Sequence, residues 1–314
     1  MSFSAEVKEE LIKHVASARH CQLAEIAAII SANGMIREGE NGGISLYIKA
    51  DDVQLNRKFF TILKKAFKIE NSIFEEETPI HVGGRLYKLA IGNDEDVRNL
   101  LMAVRMLDEK GVIRDKNSGI DTLITKNSCC KRAFIRDTFI CIGSVNDPEK
   151  SYHLEFVCDT EIQAIQLQEF IISFDIKAKI IKRKKYFVVY IKEGSEIVDL
   201  LNVMEAPLSL MNMENTRIVK EVRNSVNRRV NCEAANITKT VNAASKQTED
   251  IVFIRDNYGF QNLPDSLREI AEVRLEYPEA TLQELGGYLD PPVGKSGANH
   301  RLKKLHELAE KLRV

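Results

Sequence analysis

No run of the 314 residues approaches the roughly 20 consecutive apolar positions that a membrane span requires. Met1-Ser2-Phe3-Ser4-Ala5-Glu6 lacks the basic segment and apolar core of a secretory leader. The expectation is a cytoplasmic, nucleoid-associated chain with no membrane partner. An excess of charge of one sign is missing too: 45 Lys plus Arg stand against 46 Asp plus Glu, for a formal net charge of −1. The whole-chain balance therefore gives no signal for nucleic acid, and any basic surface must be local. The six cysteines, Cys21, Cys129, Cys130, Cys141, Cys158 and Cys232, lack the short regular spacing of a disulfide framework, so reduced, packed thiols are expected.

Catalytic and metal signatures are equally scarce. Cys129-Cys130 has no CxxC partner and no nearby His, and the six His residues show no HxxxH or HExxH spacing. The expectation is no metal and no cofactor. Gly294-Lys295-Ser296 imitates the end of a phosphate-binding loop, but Leu289 stands where its first glycine belongs. The acidic clusters Asp51-Asp52 and Glu75-Glu76-Glu77 have no further ligand at suitable spacing and read as solvated surface. No Ser, Cys or His arrangement suggests a nucleophile with its base, and no catalytic residues are expected.

What is present is a repeat. A hydrophobic content of 44% suffices for sizeable cores, and the length suggests two or three domains. Ile26-Ala27-Ala28-Ile29-Ile30-Ser31-Ala32-Asn33-Gly34 is an apolar helical stretch whose alanines let a second helix approach closely. Gly34 is expected to end it with φ > 0. A fainter copy, Ile135 to Gly143, lies 109 residues on. The two helices can form a pseudo-twofold seam, or each can be the core helix of its own lobe.

The segments after each copy agree. Ser4 is expected to cap a first helix carrying Val7, Leu11 and Val15. After Gly34 come a strand at 44–50, a helix at 53–67, an extended acidic piece at 69–77, a turn at Gly83-Gly84, a strand at 85–91 and a helix at 94–107. After Gly143 come a strand at 153–158, a helix at 161–174, strands at 176–182 and 186–192, and a helix at 195–204. The same order twice indicates an internal duplication.

This order resembles the single-chain LAGLIDADG homing endonuclease fold, in which two lobes meet at their signature helices and two sheets form a saddle over DNA. In that fold an acidic residue just before each closing glycine binds the catalytic metal; the matching positions here are Asn33 and Ile142. Neither supplies an anionic oxygen, so the resemblance implies a scaffold without nuclease chemistry. The basic hairpin Lys177, Lys179, Lys182, Arg183, Lys184 and Lys185 falls on the sheet that would face DNA, which makes Lys182 to Lys185 a possible secondary contact. Glu75 to Glu77 on the first lobe would repel phosphate, so a symmetric saddle is not expected, and that lobe reads instead as a protein-binding or regulatory surface.

The C-terminal third differs. Residues 219–244 read as a polar connecting helix rich in Asn and Arg. Asp265 is expected to cap a helix carrying Leu267, Ile270, Ala271 and Leu275 inward, Thr281 a second, and Ser296 a third with Leu302, Leu305, Leu308 and Leu312 inward. Between Pro291 and His306 there is no acidic residue. Lys295, His300, Arg301, Lys303 and Lys304 lie in this span, a helix-turn-helix pattern with a basic second element. Ser296, Asn299 and His300 near the start of that element would reach base edges, and Lys295, Arg301, Lys303 and Lys304 would hold phosphates.

The fold class expected is α+β: a duplicated αββα LAGLIDADG-like two-lobe domain followed by an all-α helix-turn-helix domain. The boundaries are 1–110 for the first lobe, 111–128 for a linker, 129–208 for the second lobe, 209–250 for a linker with its connecting helix, and 251–314 for the helix-turn-helix. Together with Cys129-Cys130-Lys131-Arg132-Ala133-Phe134, Arg223-Asn224-Ser225-Val226-Asn227-Arg228, Asn231-Cys232-Glu233, Thr240 to Ala244 and Leu282 to Ser296, this organisation resembles the WhiA regulators of Gram-positive bacteria over essentially the whole chain. The resemblance implies a sequence-specific DNA-binding transcriptional regulator, not an enzyme, tied to cell division, chromosome segregation and, where it occurs, sporulation. Double-stranded DNA would be its partner. A second regulatory protein is a further partner that the resemblance implies, and the alternative reading is a scaffold that docks such a regulator through the two-lobe domain and binds DNA weakly.

Overall fold

The computed structural model describes residues 2–39, 42–50, 52–70, 72–77, 86–91, 93–115 and 118–313. It separates into two units, 1–220 and 221–314. The turn expected at Gly83-Gly84, with Arg85, and the expected acidic position Asp51 lie outside the described residues.

In the first unit, helix α1 (Phe3–Ile12) is capped by Ser2, whose hydroxyl accepts from the Ala5 amide at 3.3 Å. Ser4, the expected cap, instead accepts from the Val145 amide at 3.2 Å. Helix α2 (Arg19–Asn33) runs without a break into β1 (Gly34–Glu38), followed by β2 (Ile44–Ala50), α3 (Val53–Phe67), β3 (Ser72–Glu77), β4 (Leu86–Ile91) and α4 (Asp94–Ala103). The second lobe repeats this with α5 (Ser128–Ile142), β5 (Gly143–Val145), β6 (Leu154–Cys158), α6 (Glu161–Ile172), β7 (Lys179–Arg183), β8 (Tyr186–Ile191) and α7 (Gly194–Val203). Both sheets are antiparallel, and their orders, β1-β2-β4-β3 and β5-β6-β8-β7, match. Alternation of buried and half-exposed residues along β2 and β6 puts one face of each sheet on the core.

Two strands, β1 and β5, escape the sequence because each starts at the glycine that reads as a helix stop. Gly34 has φ −78° and Gly143 φ −86°, ordinary extended backbone rather than the left-handed turn expected. Space, not dihedral freedom, selects glycine here. A Cβ on Gly34 would lie 2.9 Å from the Ile30 Cα, and one on Gly143 would meet the Phe139 carbonyl at 2.7 Å and its ring. The chain turns from helix to strand in one residue, so the last helical turn folds back over the glycine.

The seam reading holds. Ala24, Ala27 and Ala28 of α2 are buried, and α2 packs along α5, whose Ala133, Ile135 and Phe139 are buried as well. Across the seam Gln163 of α6 donates to the Ser31 carbonyl at 2.9 Å and hydroxyl at 2.8 Å.

The connecting helix is part of α8 (Pro207–Asn257), 51 residues long and so extending well beyond 219–244 at both ends. Residues 221–243 are exposed, including the Asn residues and Val222, Val226, Val230, Ile237 and Val241. The end of α8 enters the second core, where Ile251 and Ile254 join Ile270, Ala271, Leu285, Leu289, Ala298, Leu302, Leu305 and Ala309. This core holds α9 (Asp265–Glu276), α10 (Leu282–Gly287) and α11 (Lys295–Arg313). Thr281 caps α10 through a reciprocal box with Glu284, as its spacing suggests. Pro264, rather than Asp265, holds the cap position of α9, and Ser296 lies inside the first turn of α11. Leu312 is partly exposed, whereas Ala298 and Ala309 are fully buried in its place.

Candidate nucleic-acid interface

Helix α11 has a buried side and a polar side. Successive residues advance about 100°, which gathers Ser296, Asn299, His300, Lys303 and Lys304 into an arc of about 140°. All five are exposed, as is Lys295 at the helix start. Ala298, Leu302, Leu305 and Ala309 fill the opposite side. Arg301 falls between the two: its guanidinium reaches Glu269 Oε2 of α9 at 3.3 Å and the Ser266 carbonyl at 3.4 Å. Of the seven sequence-selected residues, six thus present to solvent and Arg301 is engaged with α9.

The turn before α11 is set by contacts remote in sequence. Glu269 accepts from the Asp290 amide at 2.5 Å as well as from Arg301. The Val293 amide donates to the Gly286 carbonyl at 2.9 Å, and the Val293 backbone lies so close to Gly286 that a Cβ there would collide with it. Arg274, almost fully buried, donates to the Ala280 carbonyl at 2.7 Å and fixes the loop between α9 and α10; burial depresses its pKa. At the far end, buried Asp250 of α8 accepts from His306 at 2.6 Å and pairs with Arg313 at 2.8 Å. Sequence reasoning missed Glu269, Arg274 and Asp250, because their partners are backbone groups or residues on other helices.

The hairpin Lys182 to Lys185 stands at the tip of β7 and β8, with all four residues exposed and Lys184 at φ 55° in the turn. Lys182 lies over the Phe187 ring at 5.3 Å and Lys185 over the Tyr186 ring at 5.0 Å. Arg183 is paired with Glu155 at 2.9 Å, which also meets His153 at 3.0 Å. On the first sheet the face away from the core also carries cations, on edge strand β1 and on inner strand β4, where Lys88 lies opposite Glu75 of β3. Arg37 and Lys88 sit over the Tyr47 ring at 5.3 and 4.5 Å, a cationic cluster on the face away from the core. Asn33, the residue before Gly34, donates to the Lys49 carbonyl at 2.6 Å. Ile142 packs against the core.

This arrangement of two matching lobes and a separate helical unit ending in a basic helix matches known proteins throughout its length. Family models for the WhiA N-terminal LAGLIDADG-like domain, the WhiA LAGLIDADG-like domain and the WhiA C-terminal HTH domain match residues 19–107, 131–223 and 226–309. The "Probable cell division protein WhiA" of Lachnoclostridium phytofermentans is 52% identical over 313 residues, covering 100% of both chains. The chain belongs to the WhiA family. A second relative of the same name, from Clostridium beijerinckii, is 46% identical over 314 residues, covering 100% of this chain and 99% of the relative. The crystal structure of full-length DUF199/WhiA from Thermatoga maritima superposes with a TM-score of 0.61 at 25% identity, covering 99% of each chain.

In this WhiA-family chain the seam also buries charge. Lys58 of α3 contacts Asp137 of α5 at 2.7 Å, and Arg136 contacts Glu25 of α2 at 2.8 Å; all four side chains are almost fully buried. Glu25 also accepts from the Ala16 amide at 3.1 Å, and Arg136 pairs with Glu205. Burial pushes the Asp137 carboxyl up to about 6, with the Lys58 ammonium opposing the shift. The expectation that Cys129-Cys130 has no histidine within reach is corrected: His20 Nδ1 lies 3.2 Å from Cys130 Sγ. The two are 110 residues apart, and only the pairing of α2 with α5 brings them together. Among the described residues no helix is long and apolar enough to cross a membrane.

Proposed function

We propose that the chain is a sequence-specific DNA-binding transcriptional regulator linked to cell division, chromosome segregation and sporulation, and that α11 enters the major groove. The observation that carries this reading is the polar arc of α11. Asn299, His300 and Ser296 offer hydrogen-bonding groups for base edges, and Lys295, Lys303 and Lys304 offer charges for phosphates. The relatives' names, probable cell division protein, support the cellular role. The two-lobe domain acts as a scaffold without nuclease activity, a reading supported by Asn33 and Ile142 at the acid positions. Replacing Lys303 and Lys304 by Ala weakens binding to every DNA sequence and flattens the salt dependence by about one unit per lost contact. Unchanged affinity and salt slope would refute the assignment, and Mg²⁺-dependent cleavage lost on changing one carboxylate would refute the inactive scaffold.

Docking of a second regulatory protein on the two-lobe domain has separate support. Exposed Met102 and Val112 border a surface cavity of ≈ 730 Å³ rimmed by Arg105, Arg114 and Asp121. Met102→Asp with Val112→Asp leaves the purified protein's DNA affinity unchanged and lowers target-gene output in cells. Unaltered output rejects the docking role.

A further inference from the structure

Four side chains with metal-binding atoms meet where the two signature helices begin. His20 and Cys21 lie in the first turn of α2, Cys129 and Cys130 in the first turn of α5. All four ligand atoms lie within 4.8 Å of one another. His20 Nδ1 is 3.3 Å from Cys21 Sγ, 3.2 Å from Cys130 Sγ and 3.9 Å from Cys129 Sγ. A tetrahedral zinc with bonds of about 2.3 Å to sulfur and about 2.0 Å to nitrogen has ligand-to-ligand edges of about 3.5–3.8 Å. The three nitrogen-to-sulfur distances lie within a few tenths of an ångström of the corresponding edge, and the sulfurs, all within 4.8 Å of one another, need to draw together by no more than about 1 Å to close on an ion.

The duplication itself supplies the set. Position 20 maps to 129 and position 21 to 130 by the same 109-residue offset that relates Gly34 to Gly143. Each lobe contributes a two-residue half-site at one helix start, and packing α2 on α5 joins the halves. Cys21 and Cys130 are buried, whereas His20 and Cys129 face solvent, so the ion has a route in. Burial pushes the Cys21 and Cys130 thiols up, so an entering metal has to displace their protons.

We propose that His20, Cys21, Cys129 and Cys130 form a closed zinc site that staples the two lobes at the head of the seam. Three thiolates with one imidazole match the ligand preference of Zn²⁺, and four protein ligands leave no open position for catalysis. The site is structural, and its ligands must lose their protons as the metal enters.

Full-length protein without a histidine tag, purified under reduction, tests this by elemental analysis. About one zinc per chain is expected, with Cys129→Ser/Cys130→Ser at background and Cys141→Ser unchanged. Cobalt substituted for zinc should show thiolate charge-transfer and tetrahedral ligand-field bands. His20→Cys keeps one metal per chain, whereas His20→Ala weakens zinc at least tenfold in competition with a chelator. If the double-cysteine variant does not fold, the cobalt spectrum and the His20 pair still decide. The proposal is overturned if wild-type protein holds no zinc after reconstitution, if cobalt shows only octahedral oxygen-ligand bands, or if Cys21 is found in a disulfide with Cys129 or Cys130.

Discussion

At the residue scale, the seam places ionised groups where most proteins put hydrocarbon. Lys58 and Asp137 are nearly without solvent contact, so the Asp137 charge depends on Lys58 at 2.7 Å and on Arg136 at 3.6 Å. Lys58→Met removes the nearer of the two cations beside Asp137, leaving Arg136 Nε at 3.6 Å, and is expected to cost about 3–5 kcal/mol in urea unfolding at neutral pH. Lys58→Met with Asp137→Leu costs less than the sum of the two single changes, which a double-mutant cycle measures. The pH dependence has a definite sign. With a folded value of about 6, above the ordinary carboxylate range, Asp137 favours the fold at acidic pH and loses that contribution as pH rises through its folded value. The stability difference between wild type and Asp137→Asn therefore shifts in favour of Asn between acidic and neutral pH. A pH-independent difference would mean that the carboxyl is not perturbed.

At the scale of elements, neighbouring glycines in α10 make a clean comparison. A Cβ on Gly286 would collide with the Val293 backbone, whereas nothing lies within 4 Å of one on Gly287. Gly286→Ala is expected to destabilise the C-terminal unit by about 1–3 kcal/mol and to weaken DNA binding by displacing the turn before α11. Gly287→Ala should be neutral or slightly stabilising. Equal melting temperatures for the two variants would contradict the close approach. The elements most legible in the sequence were those with a strong period: α3, β2, α10, and Leu302, Leu305 and Leu308 of α11. Strands β1 and β5 were hidden because a short extended segment after a helix has no period of its own, and glycine there reads as a terminator. The ends of α8 were also hidden: its Asn- and Arg-rich middle reads as a helix, whereas 207–218 and 245–257 lie outside the stretch that carries that composition.

At the scale of the whole molecule, two cores imply two cooperative blocks. The first extends from Phe3 to Met213, and the second from Ile251 to Ala309. Calorimetry of the full chain should resolve two transitions. Leu302→Ala should lower only the one belonging to the C-terminal unit, by about 2–5 kcal/mol of its stability. A common shift of both would show that the units unfold together. The balanced total charge fits this division, since Lys295, His300, Lys303 and Lys304 lie in a segment without an acid while the carboxylates lie elsewhere.

The sequence by itself determined the duplication, the family and the basic face of α11, because each is a pattern along the chain: a 109-residue offset, a motif set, a 3.6-residue period. Only the tertiary structure decided why Gly34 and Gly143 are glycines, which charges are buried, how Glu269 and Arg274 set the turn before α11, and that His20 meets Cys130. Those facts depend on atoms brought within a few ångströms by packing of α2 on α5 and of α9 against α11. Sequence distance carries no trace of such contacts. The helix stretch from Ile26 to Gly34 was legible as a seam, yet the seam's chemistry, an ionic core with four metal-binding side chains at its head, exists only once the lobes have closed on each other.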